Sequence, residues 1–139
     1  MDDSIIRSCL LFFLVTLDDE NRVYSCCESA LSSARKAQHK KELPRLQPLV
    51  VEEATKVFYD SPRKTFGARR PLGLTSLPSE ELRSDLKKLS QKVSKEQFVS
   101  FVWNEISRMP LSDIAEGLKV SEGTVEYRTQ EVLKAWAQE

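Results

Sequence analysis

Glycine is scarce in this chain, with four among 139 residues. Runs of β-branched residues are scarce as well. Both shortages argue against an all-β sandwich or barrel, which needs turn residues at regular spacing between alternating strands, and favour helices. Histidine is almost missing: His39 is the only one and stands among Lys36, Lys40 and Lys41. With no carboxylate cluster beside it, neither a His-based catalytic site nor a metal site is expected. There is no glycine-rich phosphate loop. The three cysteines, Cys9, Cys26 and Cys27, are odd in number and lack C-x-x-C spacing. They read as core thiols in a reducing cytosol. Long apolar runs are lacking too. Cys9–Val15 is too short to span a membrane and has neither the basic start nor the small-residue cleavage site of a signal peptide. The expectation is a cytoplasmic chain with no membrane contact, no catalytic residue, no metal and no cofactor, and not an enzyme.

An excess of either charge is also missing. Lys+Arg and Asp+Glu both number 21, the formal net charge is zero and the pI is about 6.6. A free-standing, non-specific nucleic-acid binder is usually basic. The charge is unevenly placed, however. Residues 35–70 hold ten Lys and Arg against four Asp and Glu, a net +6, whereas residues 105–139 hold four against seven, a net −3. Contact with phosphate is expected to lean on the basic middle.

What is present points to helices. Apolar residues make up 40%, enough for a core, and the 30% of charged residues solvates the surface. The length suits one compact domain or two small ones. Residues 4–17 predict a helix apolar nearly all round, suited to the middle of a bundle. Asp18-Asp19-Glu20 is read as the acidic start of the next helix rather than as a metal site. In that helix Val23, Cys26, Cys27, Ala30, Leu31 and Ala34 form one apolar stripe, and the short gap implies an antiparallel hairpin. A third helix is predicted over about 46–59, with Val50, Val51, Ala54, Val57 and Phe58 on one face. Ser61-Pro62 ends it. The stretch 61–79 holds Pro62, Gly67, Pro71, Gly73, Pro78 and the Arg69-Arg70 pair, a linker composition. Beyond it, Leu82, Leu86 and Leu89 form a stripe. Ser94-x-x-Gln97 has capping-box form ahead of Phe98, Phe101, Val102 and Ile106. Met109-Pro110 breaks the chain, with Pro110 placed to open a new helix. Trp103 and Trp136 lie on or near core stripes.

The segment PLSDIAEGLKVSEGTVEYRTQEVLKAW, residues 110–136, carries the one informative motif. It divides into a short helix (110–117), a turn (118–121) and a longer helix (122–137). Leu111, Ile114, Ala115 and Leu118 form the first core stripe. Ala115 is small where two helices cross, and Val120 plugs the turn. Ser121 caps the second helix through Thr124 N–H. Val125, Thr129, Val132 and Trp136 make its inward seam. The opposite face carries Gly123, Tyr127, Gln130 and Lys134, with Thr124, Glu126 and Glu131 at its edges.

IAEGLKVSEGTV resembles the helix-turn-helix of region four of extracytoplasmic-function sigma factors, through Ile114, Ala115, Leu118, Val120, Ser121, Gly123, Thr124 and Val125. TVEYRTQEVLKAW is similar to the LuxR/FixJ recognition helix, through Thr124, Val125, Glu126, Val132, Leu133 and Lys134. The resemblance covers roughly residues 78–138. It implies an all-α fold: an N-terminal helical hairpin or small bundle over 1–60, a basic Pro/Gly linker over 61–78 and a tetrahelical helix-turn-helix module over 79–139. The N-terminal helices resemble sigma region two in placement and helicity alone.

The resemblance also implies a DNA-binding transcription regulator of bacterial type. Its helix-turn-helix would meet promoter DNA through Lys119, Ser121, Gly123, Thr124, Glu126, Tyr127, Gln130, Glu131 and Lys134. Gly123 would let the helix start approach a phosphate, with hydroxyls from Ser121 and Thr124. Gln130 suits adenine, and a glutamate suits cytosine N4. The N-terminal helices would contact RNA polymerase. Three positions depart from the pattern. Glu126 and Glu131 stand where sigma factors carry Lys or Arg, and Lys119 stands where a turn glycine is common. They keep a second reading open: a protein-interaction module whose degenerate helix-turn-helix binds RNA polymerase, a sigma factor or an anti-sigma factor.

Overall fold

The computed structural model describes residues 2–17, 20–60 and 80–138. These residues form seven α-helices, and there is no strand among them. The linker expected over 61–78 and the Asp18-Asp19 start lie outside the described residues.

Helix α1 (Asp3–Thr16) begins where the Asp2 carboxylate accepts the Ser4 N–H at 3.0 Å, and ends as Leu17 turns extended. Five of its side chains are buried: Ile5, Cys9, Phe12, Phe13 and Leu14. Helix α2 (Glu20–Lys41) buries Val23, Cys26, Cys27, Ala30 and Ala34, the expected stripe, with Leu31 at its edge. It stops at Glu42, whose φ is 51°. The Glu42 and Leu43 N–H groups return to the His39 and Gln38 carbonyls, the bonding of a Schellman stop. Helix α3 (Gln47–Asp60) tolerates Pro48 because its first turn has no intrahelical use for that N–H. The α3 residues Leu49, Val50, Val51, Ala54 and Phe58 are buried.

Helix α4 (Glu80–Ser90) buries Leu86 and Leu89. It also buries Arg83, whose Nε donates to the Leu14 carbonyl at 3.0 Å. Helix α5 (Lys95–Phe101) starts with the full capping box: Gln97 N–H to Ser94 Oγ at 3.1 Å and Ser94 N–H to Gln97 Oε1 at 3.0 Å. It runs on into a π-helical turn, Val102–Ile106, which the spacing did not announce. Helices α6 (Leu111–Leu118) and α7 (Glu122–Ala137) complete the chain. Pro110 is the residue before α6, not its first residue as expected.

One hydrophobic core joins the helices on both sides of residues 61–79. Trp103, fully buried in the π-helical turn, lies at the junction. Its ring stacks on Phe12 of α1 with centroids 4.2 Å apart and planes 9° apart, and its indole N–H donates to Thr55 Oγ1 of α3 at 3.1 Å. Gly117 of α6 marks a second junction. A Cβ there would stand 2.5 Å from the Pro48 carbonyl oxygen and 2.6 Å from Val51 Cβ. Only glycine lets α6 approach α3 this closely.

Candidate nucleic-acid interface

The α6–turn–α7 corner is built from short-range chemistry. Ile114 and Ala115 are buried on α6, so the small side chain at 115 sits inside the crossing. Lys119 closes α6 in the left-handed region with φ 61°. The Lys119 and Val120 N–H groups bond the Glu116 and Ala115 carbonyls, a second Schellman stop. Val120 is half-buried against the core. Ser121 then caps α7: its Oγ accepts the Thr124 N–H at 3.1 Å and shares a 2.8 Å hydrogen bond with Thr124 Oγ1.

The inward seam of α7 is Val125, Thr129 and Val132, all buried. The Thr129 hydroxyl is satisfied inside: it donates to the Val125 carbonyl at 2.9 Å and accepts from Asn104 Nδ2 at 3.2 Å. Trp136 is half-buried, its ring edge-on to Phe101 at 5.9 Å.

The remaining face of α7 is open. Tyr127 is 64% exposed, and Glu122, Gly123, Glu126, Gln130 and Lys134 are also exposed. Thr124 and Glu131 are half-buried at its edge. All nine residues expected at the interface therefore lie on one continuous strip of turn and helix. Leu133, 38% exposed beside them, was read from the sequence only as a position in register. A Cβ on Gly123 would meet nothing closer than Ser121 Oγ at 3.9 Å, so the fold itself has no steric need for glycine there.

Electrostatically the strip is acidic. Lys119 Nζ lies 3.3 Å from Glu52 of α3, and Lys134 Nζ lies 3.4 Å from Glu131. Arg128 is half-buried on the flank. Behind the strip, Arg45 holds Asp113 of α6 by two bonds, Nε to Oδ1 at 3.0 Å and Nη2 to Oδ2 at 2.6 Å. Asp113 is 1% exposed, so this carboxylate needs its partner. The Asp113 hydrogen bond, followed by its charge, raises the Arg45 pKa above the ordinary range. These partners stand 68 positions apart in the chain, and no local pattern announces the pair. The basic middle of the sequence is thus partly spent on holding α6.

The three cysteines are buried free thiols. Cys9 of α1 hydrogen-bonds Cys27 of α2, which pushes the Cys9 pKa up and the Cys27 pKa down. Among the described residues no three His, Cys, Asp or Glu side chains gather as a metal site, and no helix is long and apolar enough to cross a membrane. No family model, curated protein or solved structure matches the chain.

Proposed function

We propose that the chain is a sigma-factor-like transcription regulator that presents the outer face of α7 to the major groove of promoter DNA. The observation that carries this reading is the division of α7 into a buried seam and an unobstructed opposite face with Tyr127 and Gln130 at its centre. In a helix-turn-helix that face reads base edges while the preceding helix crosses the backbone.

Charge sets the strength of the contact. Phosphate neutralisation supplies most non-specific DNA affinity. Here Lys119 and Lys134 are already paired, and Glu122, Glu126 and Glu131 surround the face. The isolated chain therefore binds duplex weakly and gains affinity within a larger transcription complex, with its N-terminal helices on RNA polymerase.

The same acidic face favours a second reading, in which α7 docks on a basic protein surface: the polymerase, a sigma factor or an anti-sigma factor. Fluorescence anisotropy on labelled duplex at several salt concentrations separates the two. With DNA as ligand, Glu131→Lys tightens binding and steepens the salt dependence by a slope of about −0.9 per added phosphate contact. Glu126→Lys does the same, unless Glu126 reads a cytosine, in which case specificity falls. With protein as ligand, both substitutions slow association with the partner and duplex binding stays negligible throughout. That outcome replaces the first reading with the second.

A further inference from the structure

Helices α1 and α2 leave an open groove of about 700 Å³ on their outer side. On α2 it is lined by Tyr24, Cys27, Glu28, Leu31, Ser32, Arg35 and Lys36, which alternate at spacings of three and one along a single helix face. From Tyr24 to Lys36 that stripe runs about 18 Å at 1.5 Å per residue, the length of a helix of about 12 residues. Ile6 and Leu10 of α1 form the other wall. Ile6 is 37% and Tyr24 49% exposed, so the described residues leave this apolar surface uncovered.

The stripe changes character along its length. Its first half is apolar apart from Glu28, and its second half ends in Arg35 and Lys36. Lys40 and Lys41 follow on the same helix. All four cations are exposed, and none makes an ion pair among the described residues. Arg45, Lys56, Lys119 and Lys134, by contrast, all have carboxylate partners.

We propose that the α1–α2 groove is a docking site for an amphipathic helix of a partner protein, with its apolar face on Ile6, Leu10 and Leu31 and its acidic end at Arg35 and Lys36. Helix-in-groove recognition of this kind is read by apolar residues three and four apart. Charge complementarity fixes direction. The partner's carboxylates meet Arg35 and Lys36, and a polar or basic residue meets Glu28. Like charge at either end costs affinity and suppresses the reversed orientation. The site lies on helices other than α7, so it stands or falls independently of DNA binding.

The test uses the full chain and two fluorescein-labelled peptides, each about 15 residues long, with leucines on one face. One carries glutamates at one end of its polar face, and the other carries lysines at the same positions. Anisotropy is expected to show the acidic peptide binding at least tenfold tighter than the basic one. Ile6→Asp should abolish both. Arg35→Glu with Lys36→Glu should reverse the preference, which a misfolded variant cannot do. Equal binding of the two peptides, or binding indifferent to both variants, overturns the proposal. So does binding to phosphatidylglycerol vesicles without peptide binding, which makes the groove a membrane surface. Self-association in sedimentation that Ile6→Asp removes, again without peptide binding, would assign it to a second copy.

Discussion

At Gly123 the first turn of α7 has room for a side chain that the sequence does not supply. Alanine is the better helix former by about 1 kcal/mol, and nothing stands close to the added methyl. Gly123→Ala should therefore raise the thermal midpoint by roughly 2–4 °C in a circular-dichroism melt. If the bare backbone exists so that a phosphate can approach, the same variant should lose duplex affinity. A gain in stability together with a loss in binding is the expected pair. A stabler variant that binds DNA as the parent does would remove Gly123 from the interface. Asp113 and Arg45 make the complementary point. The buried carboxylate serves to hold α6, and its partner comes from the α2–α3 connection, so the pair emerges only once the chain is folded.

The turn between α6 and α7 carries a cost that belongs to the element rather than to any one contact. Lys119 occupies the left-handed position that closes a Schellman stop. A side chain there costs about 1–2 kcal/mol. The exposed ion pair to Glu52 offsets at most about 1 kcal/mol of it. Lys119→Gly should raise the urea midpoint without changing the slope of the transition, which is the signature of a stability change alone. A lower midpoint would mean that the pair to Glu52 outweighs the backbone strain. The elements themselves were legible in the sequence wherever local rules decide them. The stripe of α2, the capping box of α5, the Ser121 cap and the inward seam of α7 follow from spacing and short-range hydrogen bonds. The departure at Lys119 was visible too, because glycine is common at such a turn. The π-helical turn after Phe101 was not. One extra residue there is accommodated by Ser107 N–H reaching back to the Val102 carbonyl and Met109 N–H to that of Trp103, with Trp103 fixed between α1 and α3. Spacing along one helix holds no record of such a tertiary constraint.

At the scale of the whole molecule, the segments before and after residues 61–79 share one core through Trp103, Arg83 and Gly117. The sequence showed a linker composition between two helical stretches, but not that α6 would press on α3. A lone glycine in an eight-residue helix was the only trace of that approach. Gly117→Ala should destabilise the chain by about 2 kcal/mol through overpacking, despite the better helix propensity. Thermal melts of this variant beside Gly123→Ala give two glycine-to-alanine changes of opposite sign, and equal signs would contradict the α3–α6 contact. The outer strip of α7 and its acidic residues were likewise readable residue by residue, whereas the pairing that occupies Lys119 was not. Lys119 and Glu52 stand far apart in the chain, and only the fold brings them together. The central claim is that this strip is where DNA binds. The most direct measurement is a titration of the ¹⁵N-labelled full chain with short promoter-like duplexes at low salt, where even weak binding moves amide resonances. The account predicts shifts concentrated at Lys119, Glu122, Gly123, Glu126, Tyr127, Gln130 and Lys134, with α1 and α2 unmoved. Shifts confined to Arg35–Lys41, or none at any duplex concentration, would contradict it.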